Sequence, residues 1–240
     1  MEINVPTIKI ENNDPDFEAR LGRFTGSMIK DLMSCDRSVS KKQWGDPEKT
    51  IGLGATAIKY IYAKARERQK NKYIKSYGGR AASFGKNMEE TVFEMVKADY
   101  PELELMPNND FIEIIPGIIG ATPDFKGLGV AGEIKCATSW DTEFARIGED
   151  VHEKHQDFWQ IQTEMMALNV KECLYIVAEP PADIMEPIID GYTPVSVQAS
   201  EIHQKAILDR ARLGNMAIEL FIKGMPFYEA IRTASTEVEL

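Results

Sequence analysis

Apolar positions along the chain recur first at helical spacing. Met28, Ile29, Leu32 and Met33 form a short stripe behind Thr25 or Ser27, either of which would cap a helix there. The same spacing returns at Ile58, Ile61, Tyr62 and Ala65, fades through the charged tract 66–72, and breaks at Gly78-Gly79. Met88, Val92, Phe93 and Val96 then place a long helix over about 82–100. After Pro107 the pattern shortens. Residues 111–115 and 118–122 read as strands, and the turn Gly127-Leu128-Gly129 leads into a third strand over 130–137; together they predict a β-meander. A helix over about 153–169 carries Phe158, Ile161, Met165 and Leu168 at core spacing. Residues 174–178 are a continuous apolar run, as in a buried strand, and 188–197, interrupted by Pro194, suits a sheet edge. Helices over about 199–222 and 226–234 close the chain.

This order predicts an α/β fold, a mixed central β-sheet flanked by helices, rather than a doubly wound parallel sheet. One domain is expected over 1–240, with an extended arm at 1–17 that contains Pro6 and Pro15, a core at 18–198, and C-terminal helices at 199–240. Residues 36–50, rich in Gly, Pro, Ser and Lys, read as a loop.

Composition narrows the function. A chain of 240 residues that is 43% hydrophobic has too much apolar surface to stay disordered. No apolar run approaches the roughly 20 residues that a membrane span needs. Three cysteines, never in a CxxC pair, and no leader-like N-terminus make a reducing cytoplasm the expected setting. The net charge of −10 argues against a general nucleic-acid coat, although it leaves room for a nuclease, whose metal-binding carboxylates are compulsory. The charge is also uneven. Between Lys59 and Lys86 stand nine basic residues and one acid, Glu67, interleaved with Tyr60, Tyr62, Tyr73 and Tyr77. Such a tract is either a solvated helix face or a stripe that contacts phosphates, with Lys64, Arg68 and Lys72 as candidate contacts to a DNA backbone.

The candidate chemistry lies in Thr122-Pro123-Asp124 and Gly132-Glu133-Ile134-Lys135-Cys136. Strand alternation sets Glu133 and Lys135 on one face and Ile134 and Cys136 on the other. The turn between the two strands folds Asp124 back beside Glu133. Two carboxylates and an ammonium then converge, and a hard divalent cation relieves the repulsion between the acids. A lysine beside them can orient or deprotonate a water, or stabilise developing charge. The competing reading is a surface ion-pair ladder across a hairpin.

Further segments extend the pattern. Arg20-Leu21-Gly22-Arg23-Phe24-Thr25-Gly26-Ser27, Phe84-Gly85-Lys86-Asn87-Met88-Glu89, the PD-x8-E-x-K core and Gln160-Ile161-Gln162 follow one another in register. The core resembles that of the PD-(D/E)xK nuclease superfamily. Over about residues 19–180 the chain resembles the lambda-exonuclease/YqaJ branch of phage recombination nucleases, with its R-L-G-x-x-T-A/G-S, W-G-x-x-x-E and Q-x-Q motifs. Thr122 stands where family members often carry Ser, and keeps the hydroxyl.

The resemblance implies roles for particular residues. Asp124, Glu133 and the Ile134 backbone carbonyl would bind a first Mg²⁺, and Glu89 would serve a second, with Mn²⁺ as a substitute. Lys135 would position the attacking water. Arg20, Ser27, Thr122 and Gln160 would hold the terminal 5′ phosphate of DNA. The implied activity is 5′→3′ exonucleolytic resection of linear double-stranded DNA, leaving 3′ single-stranded overhangs. The implied partners are two further copies in a homotrimer and a single-strand annealing protein. The implied setting is the cytoplasm of a bacterial host, from a phage or prophage gene.

Alternatives stay in view: an endonuclease or single-strand exonuclease of the same superfamily, or a catalytically silent DNA-binding module. Iron–sulfur relatives need four cysteines, against three here. His152 and His155, three apart, could bind zinc, but a surface helix start suits them better. Gly52-Leu53-Gly54 lacks a preceding strand and is no nucleotide fingerprint. No nucleophile-elbow motif supports a serine triad.

Overall fold

The computed structural model describes residues 16–35, 52–72, 80–148, 150–182 and 189–237. The loop expected at 36–50, the Gly78-Gly79 break and nearly all of the arm lie outside them. Strands β1 (Phe24–Thr25), β3 (Ile112–Ile115) and β4 (Ile119–Ala121) form a small sheet in the order β1-β4-β3. Strands β2 (Met106–Pro107), β5 (Phe125–Gly127), β6 (Val130–Cys136), β7 (Glu172–Ala178) and β8 (Tyr192–Gln198) form a second sheet in the order β2-β5-β6-β7-β8. β1 and β4 are parallel, as are β6 and β7, and the other pairs are antiparallel. The mixed α/β architecture is therefore as expected, and β8, with Pro194, lies at the sheet edge.

The meander is divided between the two sheets, which corrects the expectation of one continuous ladder. The change happens at Thr122-Pro123-Asp124, between β4 and β5. Pro123 has no N–H to extend a ladder. Asn108 fixes the crossing: its side-chain Nδ2 donates to the Pro123 carbonyl at 3.0 Å and its backbone N–H to the Asp124 carbonyl at 2.9 Å.

Eight α-helices surround the sheets among the described residues: α1 (Asp16–Arg20), α2 (Ile29–Leu32), α3 (Ala55–Lys70), α4 (Arg80–Asp99), α5 (Trp140–Ile147), α6 (Phe158–Leu168), α7 (Glu201–Ile222) and α8 (Phe227–Glu237). The first apolar stripe folds as a 3-10 turn, Gly26–Met28, followed by the short α2, and the Thr25 side chain makes no cap. α3 continues through the charged tract to Lys70, then stops at Asn71, whose φ of 48° is left-handed. α6 begins at Phe158 rather than near 153, because His155 is drawn inward. Its Nδ1 accepts the Asp157 N–H at 3.2 Å, and its Nε2 lies 2.9 Å from the Arg146 carbonyl. Ser139 caps α5 by accepting the Thr142 N–H, a signal that the apolar pattern did not reveal.

The large sheet is covered on both faces. Val92, Phe93 and Val96 of α4 pack on Phe125, Ile134, Leu174 and Ile176. On the other face, Ile161 and Met165 of α6 meet Ala131, Tyr175 and Val177. A third core joins Phe24 of β1 to α2, α3, α7 and α8 through Ile61, Ile207, Leu213 and Ile218. α6 touches both sheets and so holds them in a fixed relation. Opposite Phe125, Gly132 leaves space for the ring: a Cβ there would stand 2.1 Å from it. No described helix is long and apolar enough to cross a membrane.

Candidate active site

β6 is the floor of the site. Its alternation sends Ile134 toward α4 and sends Glu133 and Lys135 toward α6. The sequence pattern left that second face uncovered, and α6 closes it: Glu133 is 1% exposed. The Asp124 N–H donates to the Gly132 carbonyl at 2.9 Å, extending the β5–β6 ladder by one residue, so Asp124 stands across from Glu133. Asp124 Oδ2 accepts the Ile134 N–H at 2.7 Å.

Lys135 Nζ donates to Glu133 Oε1 and, at 3.2 Å, to Gln160 Oε1. Gln160 completes a closed network, because its Nε2 donates to Glu133 Oε1 at 2.7 Å and to Glu164 Oε1 at 2.8 Å. Glu164 lies one helical turn beyond Gln160, on the same face of α6, and is also 1% exposed. Neither Glu133 Oε2 nor Glu164 Oε2 has a hydrogen-bond donor within reach. Burial and the neighbouring Glu133 carboxylate push Asp124 well above the ordinary carboxylate range. Glu164 is pushed the same way by burial, by the charge of Glu133 and by a hydrogen bond shared with it. Burial pulls Lys135 down, but Glu133 and Asp124 outweigh it and the net shift is upward. The two carboxylates thus favour the charged form of Lys135.

A cleft of about 210 Å³ opens over this floor, and Glu89 of α4 lies on its wall. Arg20, Ser27 and Thr122 line the other side. Arg20 Nη2 donates to Thr122 Oγ1 at 2.8 Å, and its guanidinium lies 5.8 Å from the centre of the Phe111 ring. Ser27 is exposed and caps no helix. Asp124, Glu133, Lys135, Glu89, Arg20, Ser27, Thr122, Gln160 and the Ile134 main chain therefore share one cleft although they are scattered over more than a hundred residues.

The basic helix is a correction. Lys64 turns inward, 5% exposed, and donates to Glu67 Oε2 at 3.0 Å; the same oxygen accepts the Gly22 N–H at 3.0 Å. Arg68 donates to the Gly22 carbonyl at 2.8 Å, the Gly117 carbonyl at 2.9 Å and Asn215 Oδ1 at 2.7 Å. Both charges fasten α3 to the rest of the fold instead of facing an incoming strand. Lys72 alone of the three is exposed.

Four other positions refine the reading of the sequence. Gln162 is fully buried and ties α6 to the start of α7, donating to the Gln198 carbonyl at 3.0 Å and accepting the Ser200 N–H at 2.8 Å. His155 is buried against Tyr175 rather than opening a surface helix. Glu164 and Phe111 went unnoticed in the sequence. Spacing could have found Glu164, since i and i+4 share a helix face, whereas nothing local marks Phe111. Among the described residues, no three His, Cys, Asp or Glu side chains enclose an ion unaided. The donor set nonetheless suits a hard dication: carboxylate oxygens, one of them buried and without a hydrogen-bond partner.

The architecture is that of a PD-(D/E)xK nuclease-like fold with the form seen in phage-type exonucleases. The chain superposes on an alkaline exonuclease, LHK-Exo, from Laribacter hongkongensis with a TM-score of 0.64, at 19% identity over 92% of this chain and 97% of that one. LHK-Exo in complex with dAMP gives a TM-score of 0.63 at 20% identity, with the same coverage. A phage-related exonuclease from Haemophilus somnus 129PT gives 0.66 at 15% identity, over 85% of this chain and 96% of that one. At these identities the likeness is one of fold. No protein-family model and no curated protein matches the chain.

Proposed function

We propose that this protein is a metal-dependent 5′→3′ exodeoxyribonuclease that resects one strand of linear duplex DNA and leaves 3′ single-stranded overhangs. The observation that carries the reading is the meeting of Asp124, Glu133 and Lys135 under one cleft, with a buried carboxylate oxygen left unpaired. Asp124, Glu133 and the Ile134 carbonyl would hold one Mg²⁺, and Glu89 across the cleft would serve a second, with Mn²⁺ able to replace them. The ions supply charge stabilisation at the phosphate being cleaved. Lys135, held by Glu133 and Gln160, keeps a donor aimed into the cleft for the attacking water. Arg20 and Thr122, joined by a hydrogen bond, present guanidinium and hydroxyl donors to a terminal 5′ phosphate, with Ser27 and Gln160 at the cleft's edges. LHK-Exo, similar in fold, is known in complex with dAMP, which supports a deoxynucleotide as the class of ligand. A homotrimer around the duplex, a single-strand annealing protein as recipient of the overhang, and a phage or prophage gene expressed in a bacterial cytoplasm complete the proposal.

Digestion of an end-labelled linear duplex, with and without Mg²⁺ and beside a closed circle, tests it. The linear duplex should be degraded from its 5′ ends only with the metal, and the circle should survive. Glu133→Gln and Lys135→Ala should each lower the rate far more than tenfold, which is about 1.4 kcal/mol of barrier. Linearisation of the circle would assign an internal cutter. Retention of wild-type rate in both variants would remove the cleft as the site of chemistry.

A further inference from the structure

Glu164 is, with Glu133, one of two fully buried acids among the described residues of the cleft, and nothing in the motifs accounts for it. α6 is otherwise apolar on the face that it turns to the large sheet, where Ile161 and Met165 pack. A carboxyl group placed there loses hydration, and among the described residues no ammonium or guanidinium donates to it: its Oε1 accepts the neutral Gln160 amide at 2.8 Å. Its Oε2 has no donor, and neither does Oε2 of the adjoining Glu133. Glu133 Oε2 and Glu164 Oε2, both buried and without a donor, thus share one region with the partly buried Asp124 and with Lys135. Buried like charges of this kind are costly unless something positive joins them.

The hydrogen bonds also have a direction. Gln160 has one amide group with two N–H donors, one taken by Glu133 Oε1 and the other by Glu164 Oε1. Glu164 therefore takes the second N–H of an amide whose carbonyl faces Lys135 and whose other N–H faces Glu133, and so adds to the hold on Gln160.

We infer that Glu164 is a positioning residue of the cation site: through Gln160 it sets the Glu133 carboxylate and the Lys135 ammonium, and its own charge raises the affinity of the cleft for a divalent cation. The inference rests on the cation-binding reading of Asp124 and Glu133. Outer carboxylates of this type change metal affinity by about 10- to 100-fold when neutralised.

The test is Mn²⁺ and Mg²⁺ binding to the full-length protein without DNA, followed by calorimetry, for wild type, Glu164→Gln and Asp124→Asn. Glutamine keeps the volume and an acceptor oxygen, so the fold is retained. Glu164→Gln should bind Mn²⁺ about tenfold or more weakly. Without metal its Tm should equal or exceed that of wild type, since a buried like charge is gone. A purely structural role would instead lower the metal-free Tm and leave affinity unchanged. Wild-type affinity in Glu164→Gln together with loss of binding in Asp124→Asn would overturn the inference and leave the site standing. Wild-type affinity in both variants would overturn the cation reading itself, and the inference with it.

Discussion

Arg20, the proposed partner of a terminal phosphate, is held in place by its neighbours. A guanidinium on a flexible stem loses rotamer freedom when it binds, and contacts that hold it beforehand reduce that loss. Here Thr122 fixes one end of the fork and the Phe111 ring lies beside its plane. The motif located Arg20 and Thr122, but their hydrogen bond spans a separation of 102 residues that no local pattern encodes. In Arg20→Ala, hydrolysis of 5′-phosphorylated duplex should fall by roughly 10- to 100-fold, in line with about 1.5–3 kcal/mol for a hydrogen bond to a charged group. Ends bearing a 5′ hydroxyl should lose much less. Initial rates on the two substrates decide it, and equal losses would mean that Arg20 holds something other than the terminal phosphate.

Elements show the same division between what is local and what is not. Apolar spacing located α3, α4, α7 and most strands, since it records which face of a helix or strand turns from water. It could not say where the polar face of α3 points. Lys64 and Glu67 are both nearly buried, at 5% and 3% exposure, and Glu67 also receives the Gly22 N–H. Removing one member of such a pair leaves the other buried and charged. Glu67→Ala should therefore destabilise the fold by about 3–5 kcal/mol, measured by urea denaturation. Lys72→Ala, at an exposed position just past the end of α3, should shift stability by less than about 0.5 kcal/mol. If Glu67→Ala proved as mild as Lys72→Ala, the pair would not be holding α3 in place. α6 shows the opposite case: its core spacing and the i, i+4 relation of Gln160 and Glu164 are local, and only its packing on β6 brings that pair to Glu133.

For the molecule as a whole, the proposed activity requires a chain of net charge −10 to keep hold of a polyanion. The inward turn of Lys64 and Arg68 removes two cations from the supposed DNA-facing stripe and makes general electrostatic attraction weaker still. Encirclement by a closed ring needs no strong net attraction, and it accords with the proposed trimer. Light scattering at micromolar concentration should give about three times the chain mass of 27.0 kDa. Degradation already under way on one duplex should also continue when competitor DNA is added. A mass of one chain, together with cleavage that moves at once to the competitor, would remove the ring and leave the nuclease site intact.

The sequence by itself determined the class of fold and the centre of the site. Helical and strand periodicities are properties of a few consecutive residues, and Asp124, Glu133 and Lys135 are brought together by one short hairpin. The tertiary structure alone decided the rest: the split of the meander into two sheets at Pro123, the burial of Glu133 beneath α6, the capture of Lys64 by Glu67, and the arrival of Glu164 beside Glu133 and Asp124. Each depends on segments far apart in the chain. A charged side chain settles where its desolvation is offset by a partner, and that partner is chosen by packing between elements, which local spacing does not record.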